Sequence, residues 1–320
     1  MWSALFPGQG SQHPGMGKFL FDEFTIAKRL FEEASDTLGI NFKKLCFDGS
    51  EADLALTENT QPCLLLVSTA TYEVLHSELG FAPDVAAGHS IGEYAAVVTA
   101  GSLNFSDGMR AVRKRGQAMQ SAVPLGKGGM TAVLGLEAAQ VFELCQWAEK
   151  ESGEGPVQPA NINAPGQIVI SGNKALLDWI PLNFKADMFD GTRVKFIPLK
   201  VSAPFHCSMM KPAQEEMAVV LGAMTFSNAR FPIVQNVNAV PTSDGVELRD
   251  GLIAQISSPV RWIECVQEVK GRGAERGVEA GCGKVLSGLV KKISPEGFKV
   301  FGLNSIEDLK VLSVELKGAQ

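Results

Sequence analysis

The chain opens on an unbroken apolar run, "WSALF" (residues 2–6), cut off by Pro7-Gly8. A run of that length closed by a turn pair reads as a buried strand entering a tight loop. The next apolar positions recur at helical spacing. Phe24, Ala27, Leu30, Phe31, Ala34 and Leu38 share one stripe, and Gly39 supplies the stop. "PCLLLVSTATYEVL" (62–75) is apolar almost all round and predicts a buried helix with Pro62 near its start. "DVAAG" (84–88) predicts a short strand, and "IGEYAAVVTAG" (91–101) a helix that ends at Gly101. Strand followed by helix, repeated, predicts an α/β core with a mainly parallel sheet.

The rhythm changes near "PLGKGGM" (124–130). A strand at 130–134 and a helix at 137–150 come first. Two apolar runs follow, "VQPANIN" and "QIVISG", separated by the turn signal Ala164-Pro165-Gly166. A short helix at 174–180 and a strand at 193–201 complete the order β-α-β-β-α-β, that of a ferredoxin-like unit. Residues 126–199 are therefore expected to form a small domain inserted into a larger one made of 1–125 and 200–320, with the return near Ser202. Towards the end, "GVEAGCGKVLSGLVKKI" reads as strand, glycine-rich turn and helix.

Composition narrows the function classes. The 320 residues carry a net charge of −6 with no block of like charge, so the chain lacks the basic field of a nucleic-acid binder. No apolar run has the length of a membrane span, and the start has neither the charged nor the long apolar region of a signal peptide. The six cysteines show neither Cys-x-x-Cys nor zinc spacing, so reduced thiols in a cytoplasmic protein are expected, with no metal site.

Candidate chemistry starts at "GHSIGE" (88–93). Ser90-Ile91-Gly92-Glu93 matches a helix capping box, in which the serine oxygen and Glu93 would satisfy backbone N–H groups. The same residues fit a nucleophile elbow: an apolar strand turns sharply into a helix, and the serine hydroxyl stands exposed at the corner. A nucleophilic serine needs a base. Of the four histidines, His89 should diverge from the hydroxyl, His76 lies late in a helix and looks like a surface residue, and His13 sits in the first glycine-rich loop. His206, in "VSAPFHCSMM", is the best base by elimination, with Pro204 and Phe205 to hold its ring, although a lone histidine is commonly structural.

Wound as a helix, residues 107–122 place Gly108, Ala111, Val112, Met119 and Ala122 on one face with Arg115 in their midst. A guanidinium on a core face is costly unless acceptors meet it. Arg115 is then either a buried ion pair or snorkelling side chain, or a pocket group that grips a substrate carboxylate with two parallel bonds. "PGQGSQ" (7–12) lacks the third glycine of a dinucleotide fingerprint, and "GCGKVLSG" (281–288) has Val285 where a phosphate loop needs Ser or Thr. A nucleotide cofactor is thus poorly supported, but the first loop could lend backbone N–H groups to an oxyanion hole.

"FPGQGSQ", "GHSIGEYAA", "RKRGQAMQ", "NINAPGQIVISG", "VSAPFHCSMMKPA" and "GCGKVLSGLVKKI" resemble, in that order, the successive blocks of malonyl-CoA:acyl carrier protein transacylases, and more loosely the acyltransferase domains of polyketide synthases. The resemblance implies an α/β-hydrolase-like core with a ferredoxin-like small domain. It implies Ser90 as nucleophile, His206 as base and Arg115 as the clamp on the malonyl carboxylate. It further implies oxyanion-hole N–H groups from Gln9 and Ile91, and a Gln255 backbone carbonyl that orients the histidine. Phe205 would crowd substituents on the malonyl C2. The implied partners are malonyl-CoA and holo acyl carrier protein, with no cofactor, no nucleic acid and no membrane, and a monomer is expected. The rivals are a discrete polyketide acyltransferase, a serine thioesterase or hydrolase, and a non-catalytic scaffold that only binds acyl carrier protein. A hydrolase would not need the arginine and would usually place Asp or Glu between serine and histidine. Lys284, Lys291 and Lys292 could form a basic docking patch or a merely solvated face.

Overall fold

The computed structural model describes residues 1–201 and 203–318. Among these residues, ten strands fall into two sheets. β1 (Trp2–Phe6) and β2 (Val85–Gly88) come first; β3 (Gly128–Leu134), β4 (Val157–Ala164), β5 (Gln167–Asn173) and β6 (Lys195–Pro198) form a middle group. β7 (Ile233–Val234), β8 (Pro241–Thr242), β9 (Arg276–Glu279) and β10 (Lys299–Gly302) close the series. The larger sheet has the order β10-β9-β1-β2-β7-β8 and is parallel except for β8. β1 and β2 lie at its centre with every residue buried, which is why they read as unbroken apolar runs rather than alternations.

The second sheet has the order β4-β5-β3-β6, antiparallel throughout, and its elements follow the expected β-α-β-β-α-β sequence. β6 is shorter than expected: only Lys195–Pro198 pair with β3, at the sheet edge. β4 is tied to the segment just before the helix Trp262–Gly271: Val260 N–H donates to the Ala160 carbonyl (2.8 Å) and Ile162 N–H to the Val260 carbonyl (2.9 Å). Ser202, near which the chain was expected to return to the larger unit, lies outside the described residues.

Gly39 ends the helix Thr25–Leu38 in the left-handed conformation, as the stop signal implied. The buried helix is longer than its apolar run. It spans Thr57–Leu79, so it starts five residues before Pro62, which falls in its second turn. Proline has no N–H for the Glu58 carbonyl, and its ring crowds that turn. The orphaned oxygen is taken up from outside: Arg113 Nη1 donates to it at 2.7 Å. A partner 55 positions away in sequence is invisible to a local rule, which explains the misplaced boundary.

Candidate active site

β1 and β2 run parallel side by side, so their carboxyl ends open on the same edge, where α/β sheets commonly place ligands. The loop 7–12 leaves one end. From the other, Gly88-His89-Ser90 turns into the helix Ile91–Thr99. The turn is extremely close. A β-carbon on Gly88 would stand 2.0 Å from the Gly92 carbonyl carbon, and one on Gly92 would stand 2.0 Å from the Phe6 carbonyl oxygen. The two glycines are needed because three backbones touch here.

Ser90 sits at φ 53°, ψ −110°, a conformation that costs a residue with a side chain on the order of 1–3 kcal/mol. Its backbone is held on both sides. Ser90 N–H donates to Asn236 Oδ1 (2.8 Å), and Gln255 Nε2 donates to the Ser90 carbonyl (3.0 Å). The capping box read from Ser90 and Glu93 does not form. The serine makes no side-chain cap bond, and Glu93 turns inward to other partners. The backbone strain points Oγ away from the helix N–H groups and into a cavity of about 150 Å³.

There Ser90 Oγ meets His206 Nε2 at 2.7 Å. The other ring nitrogen, Nδ1, lies 2.9 Å from the Gln255 carbonyl. A carbonyl can only accept, so Nδ1 carries the proton, and Nε2 is free to accept from the serine hydroxyl. Burial, reinforced by the nearby Arg115 charge, pushes the His206 pKa down to about 3, so the ring is neutral at ordinary pH. His89 diverges as expected: its Nε2 donates to Asn163 Oδ1 (2.7 Å) and its ring packs edge-on to Trp262. His13 and His76 are exposed.

Arg115 is 1% exposed, at the apolar face where the helical winding put it. It donates to Gln61 Oε1 (2.9 Å), Gln255 Oε1 (2.7 Å) and Ser90 Oγ (3.2 Å), while its Nε has no partner. No carboxylate pairs with it among the described residues. The direct buried ion pair considered for Arg115 is therefore absent: the guanidinium hydrogen-bonds only neutral acceptors, with the Tyr94 ring 5.3 Å away and the buried Glu93 carboxyl acting on it from behind Gln255.

The cavity brings Gln9, Ser90, Arg115, Phe205 and His206 together, walled by apolar side chains such as Met130 and Val169 from the second sheet. Ile91 and Gln255 lie behind its surface. Among the described residues, no acceptor binds the backbone N–H of Gln9 or of Ile91. Sequence reasoning missed Gln61, Asn163 and Asn236, and it misread Glu93. Only Asn163 had a local signal, its place in "NINAPGQ". The others matter through contacts more than 50 residues away in sequence. No group of three or more His, Cys, Asp or Glu side chains is placed to hold a metal among the described residues. All six cysteines are buried and free. No helix among the described residues is long and apolar enough to cross a membrane.

The acyl transferase domain model matches residues 4–293. The malonyl CoA-acyl carrier protein transacylase of Bacillus subtilis is 43% identical over 314 residues, covering 98% of this chain and 96% of that one. The chain belongs to the malonyl-CoA:acyl carrier protein transacylase family of acyl transferases. Among solved structures, FabD from Acinetobacter baumannii superposes with a TM-score of 0.92 at 39% identity, covering 100% of this chain and 99% of that one. A malonyl-transacylase solved in complex with its type II polyketide acyl carrier protein superposes at 0.90 and 37% identity, covering 98% and 99%. The likeness to these transacylases spans both sheets and the cavity between them.

Proposed function

We propose that the chain transfers the malonyl group of malonyl-CoA to the phosphopantetheine thiol of holo acyl carrier protein, through a malonyl ester on Ser90, in fatty acid synthesis. The observation that carries this is the Ser90–His206–Gln255 relay set against a buried arginine with no carboxylate of its own.

Ser90 Oγ attacks the thioester carbonyl as its proton passes to His206 Nε2. The tetrahedral oxyanion is met by the N–H groups of Gln9 and Ile91, the second at the positive end of a helix. His206 returns its proton to the departing thiolate, and coenzyme A leaves. The carrier thiol then gives its proton to His206 and attacks the ester. Ser90 Oγ recovers that proton as the malonyl thioester departs. Arg115 binds the free malonyl carboxylate, which fixes the thioester against the serine and excludes acyl groups without that charge. Phe205 limits bulk at C2. Gln255 positions His206 through its carbonyl.

On this reading residues 126–199 are a ferredoxin-like domain inserted into an α/β-hydrolase-like core of 1–125 and 200–320, and they contribute the apolar wall. The protein acts as a cytoplasmic monomer without a resident cofactor, away from nucleic acid and membrane. Mass spectrometry of the protein mixed with malonyl-CoA tests the reaction. A malonyl increment on the Ser90 peptide that moves to added holo acyl carrier protein is the expected result. Accumulation of free malonate without transfer would make the protein a hydrolase.

A further inference from the structure

Glu93 is fully buried, on the first turn of the helix that Ser90 opens. Its Oε2 accepts two bonds, from the Asn236 N–H (3.0 Å) and from Gln255 Nε2 (2.7 Å). Each of those residues then grips the elbow. Asn236 accepts from the Ser90 N–H and donates through Nδ2 to the Gly88 carbonyl (2.7 Å). Gln255 donates to the Ser90 carbonyl, accepts from Arg115 through Oε1, and holds His206 through its main-chain carbonyl. One carboxyl oxygen thus sits behind the serine backbone, the arginine and the histidine together.

We propose that Glu93 is a positioning residue for both acyl transfer and malonyl selectivity: its Oε2 fixes the Gln255 amide with oxygen towards Arg115 and nitrogen towards the elbow. This rests on the transfer reaction proposed above. An amide side chain has two orientations that differ by exchange of oxygen and nitrogen. Were Gln255 reversed, it would present N–H groups to a guanidinium that can only donate, and the Ser90 carbonyl would lose a donor. Glu93 bars that arrangement, because its oxygen accepts and cannot donate when ionised. Its remaining oxygen, Oε1, is buried without a partner, so a proton there leaves the acceptor role of Oε2 intact. The Asn236 Oδ1, 3.3 Å from Gln255 Nε2, adds a weaker preference for the same orientation.

The test compares Glu93→Leu, which keeps bulk and removes the acceptor, with Glu93→Gln, which keeps one acceptor oxygen. Malonylation of Ser90 is measured against acetylation from an equal mixture of malonyl-CoA and acetyl-CoA, and each variant is normalised to its folded, titratable fraction. Glu93→Leu is expected to raise KM for malonyl-CoA and lower the malonyl-to-acetyl ratio roughly tenfold, the loss of about one charge-assisted hydrogen bond. Glu93→Gln should recover most of that ratio. A merely structural Glu93 would lower the melting temperature and the active fraction but leave KM and the ratio per folded molecule unchanged, and that result overturns the proposal. Should Glu93→Leu fail to fold, Glu93→Ala carries the same comparison. If the wild-type protein forms no malonyl-serine, the transfer reaction itself is wrong; if it does and the variants select as it does, only the role of Glu93 is.

Discussion

Replacing Arg115 by alanine probes the link between fold and substrate choice most directly. The guanidinium is 1% exposed, so solvent does little to screen its interaction with a bound carboxylate. Removing one partner of such a buried, hydrogen-bonded charge pair typically costs about 2–5 kcal/mol. That corresponds to roughly 30- to 4,000-fold in kcat/KM, at 1.4 kcal/mol for each factor of ten. The lower part of this range applies here. Gln61, freed of Arg115, can turn its amide N–H groups towards the incoming carboxylate and restore part of the stabilisation, whereas Gln255 is held in place by Glu93. The expectation is a fall of about a hundredfold for malonyl-CoA, with acetyl-CoA changed by less than about threefold, since its methyl group makes no ion pair. An equimolar mixture of the two thioesters, with adducts on the Ser90 peptide counted by mass, reads the ratio without absolute rates. An unchanged ratio would refute the clamp and leave Arg115 as a structural group whose missing carboxylate partner is unexplained.

Two further outcomes follow from the same geometry. In the unfolded chain His206 titrates near its ordinary value of 6.5, whereas in the fold it titrates near 3, so it stays neutral and able to accept a proton in mild acid. The single-turnover rate of Ser90 malonylation should therefore change by less than about threefold between pH 7.5 and 5.5, where an ordinary imidazole base would lose about tenfold. Between those two pKa values the unfolded chain binds the extra proton, so the contribution of His206 to stability falls as pH drops below about 6.5, and melting curves rather than rates should register the acid. Burial raises the Glu93 pKa to about 7, but its Oε2 accepts in either protonation state, so that titration leaves the rate profile in place. Gly92→Ala would drive a β-carbon into the Phe6 carbonyl at 2.0 Å. Backbone cannot yield as a side chain can, so a loss of about 3 kcal/mol or more is expected. Thermal melts should show a fall of roughly 6 °C or more together with lost malonylation; a variant with wild-type melting and activity would refute the three-backbone contact.

The sequence by itself determined the elements whose signals are local. Apolar runs marked β1 and β2 because strands buried on both faces need no polar alternation, and a turn signal separated β4 from β5. Helical winding alone put Arg115 on a core face. The glycines flanking Ser90 marked the elbow, although the pattern could not say which backbones they let through. Pro62 misled, because the group that rescues its orphaned carbonyl comes from another helix. Glu93 misled more deeply. Its spacing from Ser90 is that of a capping box, and only the tertiary fold supplies better donors in Asn236 and Gln255. Whether Arg115 was an ion pair or a free pocket charge also depended on partners at 61, 90 and 255, which no local pattern joins. Local rules read the covalent neighbourhood. The roles of buried charges are fixed by which distant polar groups the fold brings within hydrogen-bonding distance, and this site consists of such groups.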